Sequence, residues 1–242
     1  MSRPFQANDR LGRNRLLATL PDADLELLKP WLTVLALPRG RVLFEPGDDV
    51  DTTYFPCDGT IASLLVVLAD GREIEVATIG HEGAVGGIIS TGNKPAFGRA
   101  AVQVAGTAYA IATRRLEDAK QRSPRLGDIF ARYSDLLVAQ MMQSAACNAV
   151  HTLEQRCSRW LLATQDRAGA DLIQLTQESL AEMLGVQRTS VTAVAGQLSD
   201  KGLISYQRGR IKILNRKGLE ATACECYRAV EAHFQAVLTP QP

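Results

Sequence analysis

Residues 14–122 are built of short apolar runs broken by glycine and proline. Asp22-Ala-Asp-Leu-Glu-Leu-Leu places acidic residues first, where they suit the positive end of a helix dipole, and predicts a short helix. Strand patterns follow. Arg41–Glu45 leads to a turn at Pro46-Gly47, and Thr52–Phe55 to a turn at Asp58-Gly59. Ile61–Leu68 is a rich apolar run ending at Asp70-Gly71, and Arg72–Ile79 alternates polar and apolar positions before Gly80. Arg99–Ala105 and Tyr109–Ala112 are two more. Short strands spaced by about 8–12 residues with Asp-Gly turns predict an antiparallel β-barrel or sandwich.

The pattern changes after residue 122. Residues 123–167 are poor in glycine and read as helix. One stripe runs through Leu126, Ile129, Tyr133, Leu136, Gln140 and Gln143 and continues to Cys147 and Val150; a second holds Phe130, Leu137 and Met141. One stripe serves the helix's own domain and one is left over. A helix of roughly 25 residues is about 38 Å long, and a parallel copy of itself is the simplest cover for the second stripe.

Residues 176–198 change the pattern again. Thr176 suits an N-cap, with Glu178 in the first turn. Ala181 is small where two helices must cross, Gly185 can take the positive φ of a tight turn, and Val191 can pack back with Leu180 and Leu184. This small–glycine–branched spacing predicts a helix-turn-helix. The two-strand pattern Leu203–Leu214, joined at Arg208-Gly209, adds a wing. Candidate DNA contacts are Thr176, Gln177, Gln187, Arg188, Thr189, Ser190, Thr192, Ala193, Arg208 and Arg210.

Charge supports that assignment locally. The whole chain of 242 residues carries 27 Lys+Arg and 26 Asp+Glu, a net charge of +1, which argues against a generally basic binder. From Leu184 to Lys217, however, seven basic residues face the single acid Asp200. Phosphate contacts need such a patch and set affinity, while base contacts set sequence. No apolar run approaches the roughly 20 residues of a membrane helix, and the first ten residues hold no signal-peptide apolar region. The expected location is the cytoplasm. Cys57, Cys147, Cys157, Cys224 and Cys226 are odd in number and scattered, which does not suit a disulfide framework. The pair Cys224 and Cys226 is too sparse for a zinc site wanting four ligands, so no metal is expected.

The three regions in this order resemble the Crp/Fnr family of bacterial transcription regulators. The resemblance spans about residues 14–230 and is most specific at Leu175–Thr192. It implies an α+β chain: an antiparallel β-roll like a cyclic-nucleotide-binding domain (14–122), a long dimerisation helix (123–152) and a C-terminal winged helix (153–230). It also implies an effector pocket at Gly86, Gly87, Arg99 and Ala100. Cyclic-AMP-binding members use a Gly-Glu pair for the ribose, but here Gly87 or Ile88 stands at the carboxylate position. Losing a charged acceptor removes roughly 1.5–3 kcal/mol, so tight cyclic AMP binding is not expected. Glu82 is the nearest displaced carboxylate. Iron–sulfur members carry an N-terminal cysteine cluster, and no cysteine precedes Cys57 here, so that cofactor is not expected.

The functional expectation is a homodimeric, sequence-specific regulator that binds a palindromic site on double-stranded DNA, contacts RNA polymerase and reads an unidentified signal at the β-roll. The alternative is a protein-interaction or ligand-binding module without specific DNA binding. An enzyme with a cupin-like metal site would need about two histidines converging with a carboxylate; His81 is the single histidine in the first region, so no enzymatic activity is expected.

Overall fold

A computed structural model of the chain describes residues 2–6, 11–57, 59–87 and 95–238. Asp58, of the Asp58-Gly59 turn, and Ile88, beside the ribose position, lie outside the described residues.

In chain order, β1 is Ser2–Pro4, α1 Arg15–Ala18, α2 Asp22–Leu28, β2 Thr33–Leu37, β3 Val42–Phe44, β4 Thr52–Pro56, β5 Ile61–Val67, β6 Glu73–Ile79, β7 Arg99–Val104 and β8 Gly106–Ala112. The helices α3 (Thr113–Arg122), α4 (Pro124–Val150) and α5 (Leu153–Ala168) follow. Then come β9 (Leu172–Gln174), α6 (Gln177–Leu184), α7 (Arg188–Asp200), β10 (Ile204–Gln207), β11 (Arg210–Ile213), α8 (Arg216–Thr222) and α9 (Cys226–Leu238).

The eight N-terminal strands form two four-stranded antiparallel sheets, ordered β1-β2-β8-β4 and β3-β7-β5-β6. Apolar residues from both sheets share one core, in which Phe55, Tyr109 and Ile111 of the first sheet and Ala62, Ile79 and Ala100 of the second are almost fully buried. The helix α4 closes this core. Its Leu126, Phe130, Tyr133 and Leu136 are completely buried, and Phe130 meets Phe55 edge-on at 6.1 Å. Burying one such side chain stabilises by about 1.5–3 kcal/mol. Tyr133 also donates its hydroxyl to the Ala84 carbonyl at 3.0 Å.

Four expectations are corrected. First, the two apolar stripes of α4 are not divided between domain and partner. Leu126, Tyr133 and Leu136 of one, and Phe130 and Leu137 of the other, are all buried in the chain's own core. The face left exposed is a third one, bearing Ala131, Val138, Met142, Ala145 and Ala149. Second, the β-roll begins before residue 14, because Ser2–Pro4 pairs with Thr33–Leu35. Third, the chain does not end structurally at 230: α9 continues to Leu238 and returns along α4, placing Phe234 in the β-roll core. Fourth, three of the five cysteines are not scattered in space: the return of α9 brings Cys224 and Cys226 against Cys147 and His151 of the α4 end.

The winged helix has a core of its own, with Leu161, Leu162, Leu180, Leu184, Val191, Leu198 and Ile211 buried. It rests on the β-roll through Leu65 of β5 and through polar ties from α5. Trp160 Nε1 donates to Glu75 Oε1 at 2.8 Å, and Arg167 pairs with Glu82 at 2.7 Å.

Candidate nucleic-acid interface

The helix-turn-helix is α6 followed by α7. Thr176 caps α6 by accepting from the Ser179 amide at 3.1 Å. Gly185 ends α6 in the left-handed conformation (φ 64°), which lets the chain reverse in a tight turn. Ala181 and Val191 are buried with Leu180 and Leu184, so the crossing rests on the residues the spacing indicated.

Gln187 is the N-cap of α7 and uses no side-chain bond to cap it, which leaves its amide free at the helix start. Arg188, Thr189, Thr192 and Ala193 are exposed on the outer face, and Ser190 is half-buried. The same face continues through Gly196 and Gln197, which stand one turn beyond Thr192 and Ala193 and carry no motif signal of their own in the sequence. Thr192 also holds the motif together. Its hydroxyl donates to Gln177 Oε1 at 2.8 Å, with the Arg188 carbonyl oxygen at 3.0 Å. That bond ties the start of α6 to α7.

The wing is the antiparallel pair β10–β11, with β9 on the far side of β11. Its two-residue tip has both residues at positive φ, Arg208 at 48° and Gly209 at 75°. Such a turn matches the strand twist and favours Asn or Gly at its first position. An arginine there keeps a strained backbone and presents a cation. The Gly209 carbonyl accepts from the Leu175 amide at 2.9 Å, holding the wing beside the start of α6.

The basic patch divides in two. Lys201 pairs with Glu154, and Arg216 with Asp166 at 2.9 Å and Glu220 at 2.9 Å. These two are committed inside the chain. Arg188, Arg208, Arg210, Lys212 and Lys217 are exposed and form no ion pair among the described residues. Five unpaired cations around an exposed helix and a hairpin tip make an anion-facing surface of the kind that meets DNA phosphates.

The residues of the inferred effector pocket lie on different elements. Gly86 lies against the backbone of Thr52 and Thr53, and the Gly87 carbonyl accepts from Thr53 Oγ1 at 3.2 Å. Arg99 and Ala100 open β7. The Arg99 guanidinium is held by Glu45 at 2.7 Å and by Glu73, partners that raise its pKa. Glu82 is buried and bound to Arg167. Burial pushes its carboxyl up, but the guanidinium outweighs this and holds it below the usual range. His81 instead lines a cavity of about 340 Å³ between the β-roll, α4, α5 and α9.

A sensor-like β-roll, a long helix and a winged helix with an exposed recognition face define a DNA-binding transcription regulator. Residues 155–222 match the Crp-like helix-turn-helix domain. The chain is 28% identical over 186 residues to the global nitrogen regulator of Nostoc sp., covering 72% of this chain and 82% of that protein. To the global nitrogen regulator of Synechococcus elongatus it is 27% identical over 188 residues, covering 73% and 83%. Two solved structures show the same fold. A Crp/Fnr-family regulator from Eubacterium rectale superposes with TM-score 0.66 at 18% identity, over 87% of this chain and 98% of that one. FixK2 from Bradyrhizobium japonicum gives TM-score 0.67 at 16% identity, over 80% and 98%. The chain carries a Crp-like helix-turn-helix domain on the fold shared with Crp/Fnr regulators, and it is a DNA-binding transcriptional regulator. Such regulators are not enzymes, and no helix among the described residues is long and apolar enough to cross a membrane.

Proposed function

We propose that the chain acts in the cytoplasm as a homodimer on a palindromic DNA site, without enzymatic activity. The carrying observation is the exposed face of α4. Ala131, Val138 and Ala145 recur every seven residues, with Met142 and Ala149 four residues after Val138 and Ala145, which is the spacing of a two-stranded seam interrupted by Asp135. Val138 is 52% and Met142 68% exposed, unusual for apolar residues in the middle of a long helix. Pairing of two α4 helices gives two recognition helices related by a two-fold axis, and hence half-sites about one helical turn apart.

In this reading Gln187, Arg188, Thr189, Ser190 and Ala193 approach base edges. Thr176 and Gln177 support the α6 start against the backbone, with Thr192 as their tie. Arg208 and Arg210 grip phosphates from the wing. Contact with RNA polymerase accompanies activation at a promoter. The β-roll reads a signal other than cyclic AMP, because Arg99 is already neutralised by two carboxylates. Gly86, Gly87, Arg99 and Ala100 then act as framework of the sensor. The cavity beside His81 is the better place for a small polar signal: His81 Nδ1, Gln140 Oε1 and Arg159 Nε, on residues that line it, are buried without hydrogen-bond partners.

The test is selection of bound sites from random duplex DNA by the purified chain, with and without cyclic AMP, followed by a salt titration. A palindromic consensus in both arms, with affinity falling steeply as salt rises, is expected. A consensus only with cyclic AMP refutes the signal assignment, and weak salt dependence without a consensus favours the protein-interaction alternative.

A further inference from the structure

The end of α4, the start of α5 and the turn from α8 into α9 meet at one cluster. Cys147 and His151 stand four residues apart and so share a face, with His151 the C-cap of α4. Cys224 and Cys226 flank Glu225 at the entry to α9. The three thiol sulfurs and an imidazole nitrogen all lie within 4.8 Å of one another. Cys147 Sγ and Cys224 Sγ are 3.6 Å apart, and Cys226 Sγ is 3.6 Å from His151 Nδ1. A tetrahedral ion bound to sulfur at about 2.3 Å spaces its ligand atoms about 3.8 Å apart. The four side chains already stand close to that spacing.

The surroundings are also those of a metal site. Glu225 Oε1 lies 3.2 Å from His151 Nε2, which fixes the tautomer and leaves Nδ1 as the donor atom facing Cys226. Gln143 Nε2 donates to Cys226 Sγ at 3.0 Å, a bond that suits a thiolate. Arg156 lies within electrostatic reach of Cys147 and Cys224, where its charge offsets the excess negative charge of three thiolates around a divalent ion. The three cysteines are buried and the His151 side chain is 13% exposed, so the site is closed.

We propose that Cys147, His151, Cys224 and Cys226 hold one tetrahedral zinc ion that clamps α9 to the joint between α4 and α5. Three sulfurs and one imidazole are the donor set of a structural zinc site, whereas calcium and magnesium take oxygen ligands. An iron–sulfur cluster spreads its ligands over two or more irons and so needs the set farther apart than a single ion does. Four protein ligands leave no open position, so the ion holds structure and does not catalyse. Binding replaces the three thiol protons with zinc–sulfur bonds and releases the protons to solvent. The place matters because His151 ends α4 and Thr152 caps α5, so the clamp sits where the winged helix leaves the long helix.

The test is the metal content of the full chain, purified from zinc-sufficient medium without chelator. One zinc per chain is expected, and cobalt exchange should give tetrahedral d–d absorption with thiolate charge transfer. Cys226→Ser and His151→Gln should weaken zinc binding at least 100-fold, and Glu225→Gln about 10–100-fold. Cys57→Ala and Cys157→Ala should retain stoichiometric zinc. Should a ligand substitution unfold the chain, chelator competition on the unaltered chain decides: a dissociation constant of tens of nanomolar or tighter is expected. Micromolar or weaker binding, a Cys147–Cys224 disulfide on peptide mapping, or an iron–sulfur chromophore would each overturn the proposal. None of these readouts uses DNA, so their failure leaves the DNA-binding assignment standing.

Discussion

Arg188 and Arg208 are both exposed cations, yet the proposed DNA interface gives them different work. Arg188 opens α7, where a recognition helix first meets base edges, and it has the reach for guanine O6 and N7. Arg188→Ala should cost about 1–3 kcal/mol at one base pair and relax preference there, read by competition between sites differing at that position. Equal discrimination by the variant would remove Arg188 from base readout. Arg208 stands on the wing tip at a φ of 48°, which disfavours a residue with a side chain by about 1 kcal/mol or more. Asparagine tolerates that conformation better. Arg208→Asn should therefore keep or slightly raise the unfolding midpoint while weakening binding to every DNA sequence alike. A variant both less stable and unchanged on DNA would show that the arginine serves the fold.

At the scale of elements, α4 tests what a sequence can disclose. Its extent was legible because helix runs on from an Asn- and Gly-poor stretch; Pro124 opens it and Val150 closes it. Its faces were not, because three helical stripes are apolar and a periodicity does not say which neighbours cover each. The strands from β3 to β8 were legible as strands from their apolar runs and turn residues, but their pairing was not, since β3 and β5 both pair with β7 and β4 pairs with β8 across long stretches of chain. The strands β1 and β2 carry neither signal, and β2 is formed by its pairing with the distant β8, from Thr33 opposite Ala110 to Leu37 opposite Gly106. The helix-turn-helix was legible since its packing is local: Ala181, Gly185 and Val191 lie within eleven residues. The cluster around Cys147 was not, since Cys224 lies 77 residues away and reaches it only when α9 folds back. The α4 seam gives its own prediction. Met142→Glu places a charge in the middle of the exposed face and should convert dimer to monomer in sedimentation, with helix content unchanged by circular dichroism. A dimer that survives would put the pairing surface elsewhere.

Across the whole molecule, the winged helix is docked on the β-roll by two acids whose carboxyls are shifted in opposite directions. Glu82 is ionised and paired with Arg167, a contact with little solvent around it. Arg167→Ala would leave that charge buried and unpaired, and should lower unfolding free energy by about 3–5 kcal/mol in urea titrations. The double change Glu82→Gln with Arg167→Met should lose much less, and equal losses would deny that the penalty comes from the orphaned charge. Glu75 behaves differently. Burial raises its pKa above 4.5, although Ser63, Trp160 and Thr78 all donate to it. The folded chain therefore binds more protons at Glu75 than the unfolded chain does above pH 4.5. That contribution is full below the unfolded value and is lost as pH rises through the folded one. Glu82, held below 4.5, has the opposite sign: its contribution is present above that value and is lost as pH falls through its folded pKa. Docking is thus favoured when Glu75 is protonated and Glu82 ionised. Because Trp160 of α5 donates directly to Glu75 of β6, ionising this one carboxyl acts on a direct contact between α5 and the β-roll. Glu75→Gln keeps an acceptor for Trp160 and cannot ionise. Its unfolding free energy should lose the downward slope above pH 4.5 while keeping the loss at lower pH. Parallel curves for the two chains would show that docking does not depend on the Glu75 proton.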